Sequence, residues 1–338
     1  MKKFLVLILS AIMALSLSAC GNVSSSAPAP QQSSTAPSSQ SASSADTVFK
    51  VGICQLVQHE ALDAATAGFR EALTKKLGDK VVFDEQNASG DSATCSTIVN
   101  QFVSSRYDLI LGNATPALQA AVSATNTIPV LGTSITDYAT ALDIDNWTGV
   151  TGYNVSGTSD LAPLDKQAEM IKEIFPDAKN VGILYCSAEP NSKYQAETIR
   201  KYLSDMGYTV TDFTFADSND VTAVTQNACA NSDVLYIPTD NTAASCTEAI
   251  NNVAEPAGVP IVTGEEGICK GCGIATLSIG YYDIGYATGE MAYEILVNGA
   301  DVSKMEVRFA ADTTYKYMPD RAAKLGVKIP EGYTAIAS

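Results

Sequence analysis

From Val48 onwards the apolar positions follow two alternating rhythms, short β-rich runs and longer stretches with one apolar face. Residues 48–54 read as a strand. Residues 59–77 then place Ala61, Ala65, Phe69, Leu73 and Leu77 at helical spacing. Further strands are predicted at 81–83, 109–111 and 129–131, with helices at 92–104 and 115–124. The rhythm then restarts. A helix over 163–174 stops before Pro176, and 181–185 repeats the character of the first strand. Helix 191–205, strand 208–215, helix 219–229, strand 233–237, helix 242–255 and strand 259–263 follow. Residues 273–278 predict one more strand and 281–297 a last helix. Strands separated by helices imply parallel sheets covered on both faces. The expected fold class is therefore α/β, with two similar lobes.

The segment 147–156 reads as the first crossing between lobes. The predicted division gives 46–152 and 278–310 to lobe 1, and 153–277 and 311–338 to lobe 2. The hinge is then crossed several times.

The residues before Val48 say where such a protein works. Lys2 and Lys3 precede the apolar run Phe4-Leu5-Val6-Leu7-Ile8-Leu9, which continues to Leu15. The run is too short to span a bilayer and reads as a signal peptide over 1–19. Leu17-Ser18-Ala19-Cys20 resembles the bacterial lipobox, which implies lipidation of Cys20. Residues 22–45 are almost all Ser, Ala, Pro and Gln, a composition that buries too little apolar surface to fold and predicts a tether. The expected location is the outer face of the cell membrane, held there by lipid.

Charge narrows the partners. Removing residues 1–19 takes away two lysines and no acid, so the formal charge moves from −16 to −18. An acidic surface opposes binding to nucleic acid. Of eight cysteines, seven remain beside Cys20, an odd number at wide spacing that forms no disulfide framework.

In parallel α/β sheets, ligands gather beyond the carboxyl ends of the strands. Those ends carry Gln58, His59 and Glu60, then Asn87 and Ser89, then Asn113, then Thr133, Ser134 and Asp137. The second half offers Glu189, Asn191 and Ser192, then Asn219, then Thr239, Asp240 and Asn241, then Glu265. Such residues are good helix N-caps, which explains many of them. Helix starts also present N–H groups to an anion.

The segment Gln58-His59-Glu60-Ala61-Leu62-Asp63, with Gly68-Phe69 beyond, resembles the first helix of the ABC-transporter substrate-binding lipoproteins associated with tryptophan and other aromatic amino acids. Gly157-Thr158-Ser159-Asp160, Glu189-Pro190-Asn191-Ser192, Pro238-Thr239-Asp240-Asn241, Gly280-Tyr281-Tyr282-Asp283 and Thr288-Gly289-Glu290-Met291 are similar to that family in order and spacing. The likeness runs over about residues 48–325. It implies a type I periplasmic-binding fold with two Rossmann-like lobes, a small amino acid in the cleft and no cofactor. It also implies an ABC permease with a cytoplasmic ATPase as partner. A monomer is expected, since a receptor docks through both lobes. The Cys269-Lys270-Gly271-Cys272 segment departs from the pattern.

The residues leave other chemistries to weigh. His59 is the only histidine, so a multi-histidine metal site is excluded, and no Gly-x-Ser-x-Gly elbow accompanies it. Cys269 and Cys272 form a lone Cys-x-x-Cys, open to a local disulfide, two free thiols, a shared metal or a redox role. A sensory lipoprotein or a receptor for sugars or nucleosides would use the same lobes. A surface glycoside hydrolase would need two converging acids, for which Asp240 and Glu265 are the candidates. For a bound amino acid, the carboxylate is expected at Thr133-Ser134 or Asn191-Ser192. The ammonium is expected at Asp240 first, then Asp137 or Glu60, because an unpaired buried charge costs several kcal/mol.

Overall fold

The computed structural model describes residues 47–337. The predicted signal peptide, Cys20 and the tether lie outside the described residues. The first lobe begins β1 (Phe49–Gln55), α1 (Glu60–Leu77), β2 (Val81–Asn87), α2 (Ser92–Ser104), β3 (Leu109–Asn113), α3 (Thr115–Ala124), β4 (Val130–Ile135), α4 (Tyr138–Leu142) and β5 (Val155–Ser159). The chain then builds α5 (Leu164–Ile174), β6 (Asn180–Cys186), α6 (Pro190–Asp205), β7 (Thr209–Phe215), α7 (Val221–Asn231) and β8 (Val234–Ile237). It continues with α8 (Asn241–Ser245), α9 (Thr247–Ala257), β9 (Ile261–Thr263), α10 (Glu266–Gly271) and β10 (Ala275–Ser278). Helix α11 (Tyr281–Leu296) and β11 (Arg308–Phe309) return to the first lobe, and β12 (Thr314–Tyr317), α12 (Pro319–Lys324) and β13 (Thr334–Ala335) finish the second.

The two sheets share one plan. The first runs β11-β5-β4-β3-β1-β2 and the second β13-β12-β10-β9-β8-β6-β7. Counting each lobe's own strands, both begin 2-1-3-4-5, the first sheet adding a sixth strand and the second a sixth and seventh at the far edge. The first sheet is parallel throughout, and in the second only β12 runs antiparallel to its neighbour β10. In each sheet the strand order reverses beside the first strand, which opens a crevice at the carboxyl edge. Leu109, Ile110 and Leu111 on β3 are completely buried, as a strand covered on both faces must be.

Chain crossings occur at 160–163, 279–280 and 310–313. The first lies later than expected. Val155–Ser159 pairs with β4, so the strand belongs to the first sheet and the segment 147–156 is not the crossing. Only Val155 of its five residues is a large apolar side chain. Its polar residues are nonetheless buried, with Thr158 joined to Thr133 and Thr288 through hydroxyl contacts of 3.2 and 2.8 Å. The expected helix over 242–255 is two helices, α8 and α9, which meet at Cys246.

Glycines bring α11 back onto α1. A Cβ on Gly285 would stand 2.0 Å from the Ala65 carbonyl oxygen, and one on Gly68 2.1 Å from that of Tyr282. The two backbones therefore approach as closely as only glycine permits. This packing fixes the start of α1, with His59 and Glu60, at the mouth of the cleft. Among the described residues no helix is long and apolar enough to cross a membrane.

Candidate functional site

The carboxyl ends of both sheets face a gap lined by His59, Ser134, Thr136, Asp160 and Tyr281 from the first lobe and its returning helix. Asn191, Thr239, Asp240, Asn241 and Glu265 line it from the second. The lobes touch across it. His59 Nε2 lies 3.3 Å from Asn241 Oδ1; an amide oxygen only accepts, so Nε2 carries the proton. Gln195 Nε2 donates to Thr136 Oγ1 at 3.5 Å, and Lys270 Nζ meets Glu60 at 3.3 Å on the rim. As the lobes stand, the gap has room for about one water molecule. Larger hollows of about 300 and 250 Å³ flank it, one beside His59 and Glu265 and the other beside Ser89 and Glu189.

Among the described residues, four buried polar atoms lining this gap have no partner: Ser134 Oγ, Asp160 Oδ1, Asn191 Oδ1 and Thr239 Oγ1. Each lobe supplies two. Buried polar groups are ordinarily hydrogen-bonded, and a lone orphan costs about 1–3 kcal/mol. Ser134 is held there by its backbone, at φ +57° beside a register shift in β4. Strain of that kind collects at functional sites.

Most acids named from the sequence are occupied as helix caps. Asp240 accepts from the Cys186 N–H at 2.6 Å and the Ala243 N–H at 2.7 Å, so both oxygens serve backbone. Glu189 accepts from the N–H groups and side chains of Asn241 and Thr242, and from Asn191 Nδ2. Glu265 accepts from the Gly267 and Ile268 N–H groups. Asp137 caps α4 through the Thr140 N–H. Asp240 and Glu265, the pair a glycosidase would use, are thus both bound to helix starts, an arrangement that fixes helices rather than frees a proton donor.

The free acid is Asp160, at the first residue of the first crossing, which the sequence did not single out as a site residue. It is 4% exposed; Oδ2 accepts from the Tyr281 hydroxyl at 2.9 Å, and Oδ1 has no hydrogen-bond partner. Burial pushes its carboxyl up to about 6, while the hydroxyls of Tyr281 and Thr136 pull the other way. Burial raises Glu265 to about 7. Asp240 is raised by burial and by the nearby Glu189 charge, against its backbone donors. Burial lowers His59. Among the described residues no lysine or arginine lines the gap.

Other expected residues play different parts. Thr133 is buried in the Thr158 contact and does not line the gap. Asn113 donates to Leu62 O and Thr66 Oγ1 beneath α1. Asn87 caps the turn at Ser89, Asn219 sits on an exposed loop, and Gln58 lies on the rim. Ser192 is fully buried beside Asp240. The helix starts of α1 and α6 carry no side-chain cap, so their first N–H groups stay available. Cys269 and Cys272 are buried free thiols whose pKa burial raises. The segment does form a helix after a strand, α10, despite its glycines.

Comparison with known proteins agrees with this layout. Residues 50–338 match the family of ABC transporter substrate binding proteins. The chain belongs to that family. This substrate-binding protein is 37% identical over 266 residues to a "Tyrosine-binding protein" of Clostridioides difficile (strain R20291), covering 78% of this chain and 76% of that one. A Streptococcus pneumonia domain solved in complex with L-Trp aligns with a TM-score of 0.82 at 32% identity, over 86% of this chain and all of that one. The ligand-free, open structure of a Clostridium difficile substrate-binding protein aligns at 0.65 over the same shares, although its identity is higher, 38%. Similarity of sequence and of shape rank oppositely, as follows when the spacing of the lobes differs more than their folds. The substrate-binding protein described here has its lobes in contact, and its fold is the type I periplasmic-binding fold.

Proposed function

We propose that the protein captures a free amino acid, aromatic ones first, and hands it to the permease of an ABC importer without changing any bond in it. The lipid on Cys20 would hold it at the outer face of the membrane. The observation that carries this reading is the set of four unpartnered polar atoms, two from each lobe, around one gap. Such a set is satisfied only by a ligand that touches both lobes, and closing on that ligand is what a hinged receptor does. The acids and the lack of lysine or arginine favour a cationic group, and Asp160 is its partner. Its carboxylate has the uncapped start of α6, at Asn191 and Ser192, to receive it. The aromatic preference rests on the relatives named for tyrosine and solved with L-Trp. An amino acid needs more room than the present gap offers, so the lobes part to admit it and close on it from both sides.

Calorimetry on purified protein tests the reading, with L-tyrosine, L-tryptophan, the remaining amino acids, glucose, nucleosides and 3-(4-hydroxyphenyl)propionate, which lacks the amine. Binding of L-tyrosine or L-tryptophan and none of the amine-free analogue is the expected result. Binding of a sugar with no response to any amino acid rejects the substrate, and equal binding of the analogue rejects the ammonium site.

A further inference from the structure

The hinge has an apolar core of its own. Ala162 from the first crossing, Ile279 from the second and Ala310 from the third pack together with Tyr281, Ile284, Ala61 and Ala65. All three crossings therefore meet on one cluster against the start of α1. Tyr281 is the residue of that cluster with a second attachment. Its ring is 8% exposed, and its hydroxyl donates to Asp160 Oδ2 at 2.9 Å. Asp160 is itself the first residue of the first crossing, and its other oxygen lines the gap unpaired.

We infer that Tyr281 is a positioning residue that couples ligand capture to the hinge, by holding Asp160 against the core where the three crossings meet. The inference rests on the proposed ammonium site at Asp160. A carboxylate that turned freely would keep contact with a ligand without registering the angle between lobes. Held by Tyr281, its orientation is tied to the crossings, so only one hinge angle brings Oδ1 onto a ligand that Asn191 and Thr239 hold from the other lobe. The ligand thereby stabilises one lobe spacing over others, which a receptor needs if closure is to report occupancy.

The same bond sets the charge of the acid. Around Asp160 stand Tyr281 from α11, Tyr138 from α4, Thr136 from the loop after β4 and His59 from the start of α1, with Asp240 and Glu265 across the gap. Of these, the Tyr281 and Thr136 hydroxyls hold the carboxyl down against burial. Removing the Tyr281 hydroxyl raises it further. A ligand ammonium needs the ionised form, so its affinity falls as pH drops through the pKa of the free protein, and falls earlier when that pKa is higher.

The test compares the wild type with Tyr281→Phe, titrated with L-tyrosine and L-tryptophan by calorimetry between pH 4.5 and 8. Phenylalanine keeps the ring in the hinge core, and a melting curve checks that it does. Wild-type affinity is expected to be flat above about pH 6 and to fall about tenfold per pH unit below it. In the variant, affinity at pH 8 drops about tenfold or more and the fall begins at higher pH. A ¹³C carboxyl titration of Asp160 in the free proteins reads the same shift without ligand. Superimposable pH profiles, or an unmoved Asp160 titration, overturn the inference. Asp160→Asn separates the two levels of argument. If it binds as the wild type does, the site reading fails. If it loses affinity while Tyr281→Phe keeps the wild-type profile, the site stands and the coupling falls.

Discussion

Asp160→Asn should weaken ligand binding and strengthen the unliganded fold at once. In the folded protein the carboxyl is pushed to about 6 by burial, against about 3.9 in an unfolded chain. Two units correspond to about 3 kcal/mol of unfavourable free energy for the charge at pH 7.5. Asparagine has the same shape, still accepts from Tyr281 and carries no charge. Allowing for imperfect hydrogen bonding of the new amide, a gain of about 1–2 kcal/mol is expected, or about 2–4 °C in Tm for a domain of this size. The sign depends on pH in a fixed way. A raised folded pKa means that wild-type stability is intact below the unfolded value and is lost as pH rises through the folded one. The advantage of asparagine is therefore full above about pH 6 and fades towards pH 4. Binding moves the other way, because removing one partner of a buried charge pair costs about 2–5 kcal/mol, a loss in affinity of roughly thirtyfold or more. Differential scanning calorimetry without ligand, and titration with L-tyrosine, measure the two effects. An asparagine variant that melts below the wild type at pH 7.5 and still binds with wild-type affinity would refute the account of the acid.

Asp240→Ala should act mainly on folding. It strips the cap of α8 and orphans the Cys186 N–H, so urea unfolding should show a loss of about 2–3 kcal/mol, with affinity of the folded fraction changed less than tenfold. Gly285→Ala puts a methyl 2.0 Å from the Ala65 carbonyl, and should cost more than about 3 kcal/mol or prevent folding, scored by soluble yield and melting. Glu60→Gln removes an ion pair whose side chains are 58% and 45% exposed. Its effect on affinity should stay under about threefold and disappear in 0.5 M salt; a larger, salt-resistant effect would mark Glu60 as a ligand contact.

The sequence made the architecture legible where periodicity is strong. The bounds expected for α2 and α3, 92–104 and 115–124, coincide with the helices found, where Asp91 caps the start of α2 and Pro116 stands in the first turn of α3. It failed where elements are too short for a period to show, as in β11 and β13 with two residues each. It failed again where a strand is buried through its hydroxyls, as in Val155–Ser159. That miss hid Asp160, which then lay past the expected crossing at 147–156 with no predicted strand before it, although it closes the Gly157–Asp160 motif. The acids pose a deeper difficulty. Asp240, Glu265 and Asp160 all follow strands, and only the directions of backbone N–H groups decide which oxygens are already taken. Tyr281 shows the same limit: an aromatic residue near a helix start suggests stacking, whereas its hydroxyl is what reaches the site.

The return of α11 to α1 has a consequence for how the chain acquires its structure. Gly68 lies against Tyr282 and Gly285 against Ala65, yet more than two hundred residues separate the partners in each pair. A chain emerging N-terminus first presents α1 long before the helix that covers it exists, while β6 to β10 and their helices form one uninterrupted stretch. That stretch can organise early, and the first lobe must wait with an apolar helix face uncovered. Contacts so distant in sequence slow folding and lengthen exposure to aggregation. For this protein the vulnerable interval is therefore set by the time taken to deliver residues 281–296, and a holdase that shields α1 during that interval would matter more to yield than any gain in final stability.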